Sequence, residues 1–181
     1  MKEKLKELLQ DRTALTILSV SIFVVVIFDQ VTKHLVVSKL RLYESVEVIP
    51  DFFNITHVLN PGAAFGMLGG LESTVRQLII FGVTVLALGV ILYFLLYDYQ
   101  RDRIAQAALG AILGGAIGNL LDRIQIGHVV DFLDVYVGSS HWPAFNVADS
   151  AICVGVVILL LRRPRAVITA RSDVECEPAS E

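Results

Sequence analysis

The sequence predicts an all-α integral membrane protein: four transmembrane helices, with a small outward-facing β-sheet or loop region between helices 1 and 2. Three observations predict it. The 181 residues are 55% hydrophobic and only 18% charged, with a mean hydropathy of +0.66, a balance foreign to a water-soluble domain of this size. Four apolar runs, at roughly 13–28, 78–97, 104–121 and 148–161, each approach the ~20 residues that a spanning helix needs. Lys and Arg are unequally divided among the connecting segments, as in a chain with a fixed orientation.

Taken in order, Lys2 to Arg12 alternates acids and bases around leucines, which suits a short amphipathic helix at a membrane surface. The first span is expected at about 13–31. It reads as retained rather than cleaved, because Ile27-Phe28-Asp29-Gln30 offers no small-residue cleavage site and Val31, Leu35, Val36 and Val37 continue the apolar pattern. From Glu44 to Val58 the pattern partly alternates and is rich in β-branched and aromatic residues, ending in the turn signal Asn60-Pro61-Gly62, so a small sheet is expected there.

The second and third spans are expected at about 76–97 and 104–121. In the third, Gly110, Gly114 and Gly118 recur every four residues with Gly115 beside them, a face that lets a neighbouring backbone approach closely. That seam serves packing inside one bundle, or alternatively a homodimer. The fourth span is expected at about 147–162. Residues 1–165 thus form a single polytopic membrane domain, and the polar tail 166–181 is expected to be disordered.

Orientation follows from the basic residues. Lys2, Lys4, Lys6, Arg12, Arg101, Arg103, Arg162, Arg163, Arg165 and Arg171 fall on one side, and only Lys33, Lys39, Arg41, Arg76 and Arg123 on the other. Both termini are therefore expected to be cytoplasmic and the two long segments to face outward. The net charge of −3 with no basic stripe gives no footprint for nucleic acid. Cys153 and Cys176 do not suggest a disulfide, and no His or Cys spacing resembles a metal site.

Ionisable and amide side chains beside apolar spans are costly unless paired or functional, and here they gather at the outward ends. Asp29 and Lys33 close the first span at i,i+4 spacing, which allows an ion pair. Asn119, Asp122 and Arg123 close the third, with Gly115, Asn119 and Arg123 on one face. Asp131 and Asp134 follow in the next loop with His128 and His141, and Asn146 and Asp149 open the fourth span at the spacing of an N-cap and its third helical residue. Each has a structural reading alone: a surface ion pair, a snorkelling helix end, a carboxylate favoured by the helix dipole. Their convergence at one depth points to chemistry.

No serine is arranged with a lysine as a dyad, and Cys153, between Ile152 and Val154, reads as packed rather than reactive. Paired carboxylates remain. Two close aspartates share a proton, so one activates water while the other donates to the carbonyl or leaving amine. Chemistry alone leaves the pair open among Asp29, Asp122, Asp131, Asp134 and Asp149. A transporter would place ionisable groups at mid-membrane, where the spans hold only Ser19, Thr84 and Gln106; a non-catalytic assembly subunit using the glycine seam would tolerate loss of the aspartates.

Five segments in order resemble the type II signal peptidase (lipoprotein signal peptidase) family: Asp29-Gln30-Val31-Thr32-Lys33, Asn60-Pro61-Gly62-Ala63-Ala64-Phe65-Gly66, Gly114-Gly115-Ala116-Ile117-Gly118-Asn119-Leu120-Leu121-Asp122-Arg123, Val129-Val130-Asp131-Phe132 and Phe145-Asn146-Val147-Ala148-Asp149-Ser150. Pro61 stands where many members carry Thr or Asn. The resemblance implies an aspartic endopeptidase of the bacterial inner membrane with Asp131 and Asp149 as catalytic dyad. It implies supporting or substrate-binding roles for Asp29, Lys33, Asn60, Gly115, Asn119, Asp122, Arg123 and Asn146. Asp122 is the rival for the dyad, but an ion pair with Arg123 would lower its pKa and make it a poor sharer of a proton. The implied substrates are diacylglyceryl-modified prolipoproteins, cut just before the lipidated cysteine by a monomeric enzyme in contact with membrane lipid, without metal or cofactor.

Overall fold

The computed structural model describes residues 1–62 and 72–162. Ala63-Ala64-Phe65-Gly66 of the second motif, Arg163, Arg165, Arg171, Cys176 and the tail expected at 166–181 lie outside the described residues.

The chain opens with α1 (Lys2–Gln10), broken from α2 (Arg12–Lys39) at Asp11, whose carboxylate caps α2 by accepting from the Ala14 N–H at 3.0 Å. Helix α2 continues past the expected end of its span by about two turns, because the apolar stripe runs on through Val36, which is buried against the protein. Strands β1 (Ser45–Ile49) and β2 (Phe53–Asn60) form a hairpin. Helix α3 (Ser73–Tyr93) relaxes into a π turn over Phe94–Asp98; α4 (Arg103–Ile126), β3 (Val129–Val137), the short β4 (Ser140–His141) and α5 (Val147–Leu161) follow.

Among the described residues three helical stretches are long and apolar enough to cross a membrane: Arg12–Lys39, Thr74–Asp98 and Arg103–Ile126, with mean hydropathies of 2.2, 2.8 and 1.6. The fourth run forms an apolar helix of only 15 residues. Its shortness goes with its place against α4, the least apolar of the three and the most enclosed.

The glycine seam explains that centrality. A methyl group at Gly110 would lie 3.0 Å from the Leu18 carbonyl of α2, one at Gly114 2.9 Å from the Ile22 carbonyl, and one at Gly115 2.5 Å from the Ala148 carbonyl of α5. Gly155 of α5 returns the close approach: a methyl group there would lie 2.9 Å from the Ala108 carbonyl. The seam therefore binds α2, α4 and α5 within one bundle, where close backbone approach replaces the absent hydrophobic drive. Below it a core of Leu18, Ile91, Leu95, Tyr99 and Leu109 ties in the π turn.

The sheet departs from expectation. It is antiparallel in the order β1-β2-β3-β4, so it is not confined to the segment between the first two spans: its third strand comes from the stretch after α4 that reads as a loop. Aspartates at 131 and 134 interrupt what is otherwise a run of β-branched and aromatic residues, and the register pairs Val58 with Asp131 and Asn54 with Asp134. Gly127, at φ 76°, ends α4 in the left-handed conformation that glycine adopts freely. The reversal lays β3 back over the end of α4, where the Val130 N–H donates to Asp122 at 3.1 Å.

Candidate active site

The ten residues singled out in the sequence meet where α2, α4 and α5 end beneath the sheet. At the base lies Lys33, 3% exposed. Its ammonium has three protons and meets three acceptors: Asp29 at 2.8 Å, Asp122 at 2.8 Å and the Asn119 side-chain carbonyl at 3.1 Å. The i,i+4 pair of Asp29 and Lys33 is thus formed, and both carboxylates are further engaged. Asp29 accepts from the Ala148 N–H in the first turn of α5 at 2.9 Å, placing its charge at the positive end of that helix. Asp122 accepts from Val130 and, at 2.9 Å, from Gln30. Gln30, missed as a functional position, also donates to Asp29 at 3.2 Å; its place between Asp29 and Lys33 in the first motif was the signal available.

The expected Asp122–Arg123 ion pair is not formed. Consecutive helical residues point about 100° apart, so Asp122 turns inward to Lys33 while Arg123 turns to the cavity, donating through Nη1 to the Asn119 backbone carbonyl at 3.1 Å.

Two amides carry the order outward. Asn119 donates to Asp149 at 2.8 Å while its carbonyl receives Lys33 and Asn146. Asn146, fully buried, caps α5: its carbonyl accepts from the Asp149 N–H at 2.9 Å, and the Asp149 carboxylate accepts in return from the Asn146 N–H at 3.3 Å, the expected reciprocal box. The Asn146 amide nitrogen is then free to donate to Asp131 at 2.7 Å. From β2, Asn60 donates to the other Asp131 oxygen at 2.9 Å, its own carbonyl held by the Gly62 N–H at 3.0 Å.

The five aspartates left open by the sequence therefore separate by partner. Asp29 and Asp122 share a buried cation. Asp134 lies on the sheet, bound to Asn54 at 3.0 Å and His141 at 2.9 Å. Asp131 and Asp149 are held by amide donors and open together on a cavity of about 510 Å³. Burial, opposed by the Asn60 bond and reinforced by the Asp149 charge, pushes the Asp131 carboxyl up to about 6. The cavity wall is largely apolar, with Val129, Trp142, Phe145 and Ile152 among its residues. Cys153, expected to be packed, is exposed at this wall. None of these wall residues has a pattern in the sequence that sets it apart from core.

Two carboxyls that open on one apolar cleft can divide general-base and general-acid work on an amide between them.

Comparison with known proteins gives a consistent picture. A family model described as signal peptidase (SPase) II matches residues 21–163. The lipoprotein signal peptidase of Syntrophus aciditrophicus is 50% identical over 137 residues, covering 76% of this chain and 85% of that protein. That of Syntrophotalea carbinolica is 50% identical over 142 residues, covering 78% and 86%. Among solved structures, a bacterial membrane enzyme superposes with a TM-score of 0.70 at 35% identity, covering 84% of this chain and 92% of its own.

Proposed function

The chain belongs to the signal peptidase II family, membrane peptidases that remove signal peptides from prolipoproteins, and on that premise we propose that it is an aspartic endopeptidase cutting just before a diacylglyceryl-modified cysteine. The observation that carries the reading is the partition of the aspartates. Those bound to Lys33 are committed to the fold, whereas Asp131 and Asp149 rest on neutral amides and reach the cavity.

In this reading the active form is the one in which Asp131, the more buried of the two, carries the shared proton, and Asp149 in the first turn of α5 accepts the proton of the attacking water. Water bound between them attacks the scissile carbonyl. Its proton passes to Asp149 as Asp131 protonates the carbonyl oxygen, giving a gem-diol. Collapse breaks the C–N bond, Asp149 protonates the departing amine, and a hydroxyl proton returns to Asp131. Asn60, Asn119 and Asn146 hold the pair; Asp29, Lys33, Asp122 and Gly115 hold the asparagines and the start of α5; Arg123 faces the substrate.

The four apolar helices are all spans in this reading, with both termini cytoplasmic and the sheet on the outward side of the bacterial inner membrane, over residues 1–165. The signal peptide lies against the bundle while the diacylglyceryl chains stay in lipid, and a single copy suffices. The test is cleavage of a diacylglyceryl-modified prolipoprotein by the purified protein in lipid vesicles containing chelator. Wild type is expected to cut, and Asp131→Asn and Asp149→Asn each to lose about 10²- to 10⁴-fold or more while remaining folded. Cleavage retained in either variant overturns the dyad; none by folded wild type overturns the activity.

A further inference from the structure

Helix α1 precedes the stretch matched by the family, which begins at residue 21, and contributes nothing to the candidate site. None of its residues is buried. On a 3.6-residue period Leu5, Leu8 and Leu9 form one stripe, bordered by Lys4 on one side and by Lys2 and Lys6 on the other, with Glu3, Glu7 and Gln10 on the far side. Leu8 packs against the core cluster, but Leu5 and Leu9 are 41% and 58% exposed. Lysines flanking an apolar stripe, with acids opposite it, match a helix lying flat at a lipid surface, the stems buried and the ammonium groups lifted to the headgroups.

A second observation fixes the depth. Helix α1 packs against the Phe94–Asp98 turn, where Tyr93, just before it, and Tyr97, near its end, stand exposed and stacked with ring centres 5.1 Å apart. Exposed tyrosines at the end of a spanning helix mark the headgroup level. Arg101 lies just beyond, and Lys2, Lys6 and Arg101 make no ion pair among the described residues. The Asp11–Arg103 bridge at 2.8 Å pins the α1–α2 joint to the start of α4, so the helix is held at that depth.

We propose that α1 is an in-plane anchor that binds anionic phospholipid headgroups, with Leu5 and Leu9 in the acyl boundary and Lys2, Lys6 and Arg101 on the phosphates, Lys4 being paired with Glu7 at 3.1 Å. The proposal needs α2, α3 and α4 to cross a bilayer and is independent of the peptidase chemistry. The test places an environment-sensitive dansyl amino acid at position 9, or at position 10 as the polar-face control, in the full-length protein reconstituted in vesicles. Bromine-labelled phosphatidylglycerol is expected to quench position 9 and not position 10, and to do so more strongly than bromine-labelled phosphatidylcholine. The preference is expected to fall about fivefold for each lysine replaced in Lys2→Gln and Lys6→Gln. Equal aqueous iodide quenching at positions 9 and 10 would overturn the anchor. Equal quenching by the two lipids would overturn the headgroup preference, and energy transfer between labelled copies would assign the stripe to a second protein instead. Prolipoprotein cleavage in the same vesicles reports on the catalytic reading separately.

Discussion

Asp131→Asn is expected to make the protein harder to unfold at neutral pH, and the size of the effect follows from the site. The carboxyl moves from an ordinary 3.8 to about 6 on folding. A group with a raised folded pKa favours folding fully below its unfolded value, and that favour is lost as pH rises through the folded one. At pH values above both, ionised Asp131 therefore costs the native state about 3 kcal/mol. Asparagine removes that cost but not for nothing: the Asn60 and Asn146 carbonyls are held by backbone N–H groups, so neither amide flips freely and one hydrogen bond, about 1–2 kcal/mol, is lost. The variant is thus about 1–2 kcal/mol more stable at pH 8 and about as much less stable at pH 4. Unfolding in mixed micelles with increasing dodecyl sulfate, followed by circular dichroism from pH 4 to 8, measures the difference. A difference that does not change sign with pH, or a variant weaker at pH 8, refutes the reasoning.

The remaining predictions concern the supporting residues. Lys33→Met leaves Asp29 and Asp122 buried without their cation and is expected to cost about 3–5 kcal/mol in the same unfolding assay; a loss under about 1 kcal/mol would show that the pairs are not closed in the membrane. Asp122→Asn keeps Asp29 on Lys33, so a partial loss of stability and of cleavage is expected, and total loss of cleavage in a well-folded protein would make Asp122 the catalytic partner. Gly115→Ala drives a methyl group onto the Ala148 carbonyl and is expected to cost about 1–3 kcal/mol and slow cleavage by displacing Asp149. Gly89→Ala meets no atom within 4 Å and is expected to be neutral or to stabilise by up to about 1 kcal/mol.

Local relationships were legible in the sequence. The Asp29–Lys33 pair and the Asn146–Asp149 box depend on three- and four-residue spacings, which helix geometry imposes wherever the helix forms. The glycine seam was legible for the same reason. The long-range pairing was not: Lys33 reaches Asp122 across 89 positions of sequence only because α2 and α4 are rotated so that the seam closes. The proposed dyad is singled out in the sequence only through family resemblance, because a carboxylate held by a cation and one held by an amide look alike there. Strand β3 was hidden by its two aspartates, which break the apolar alternation where one serves the cavity and the other the sheet.

The length of α5 bears on where the protein works. Fifteen residues rise about 22 Å against a hydrocarbon layer of roughly 30 Å, while α2 beside it runs for 28 residues. In the four-span reading proposed above, α5 is shorter than the layer it crosses, and the expected response is a thinning of the lipid on the flank where Asp149 opens to the cavity. The proposed diacylglyceryl substrate, tethered by its own acyl chains, would drift in two dimensions, and such a thinning would bring its ester-bearing end level with the carboxyl pair without lifting it out of lipid. Membrane thickness then sets how often substrate and site stand at the same height, and bilayers of longer chains would slow turnover through geometry alone.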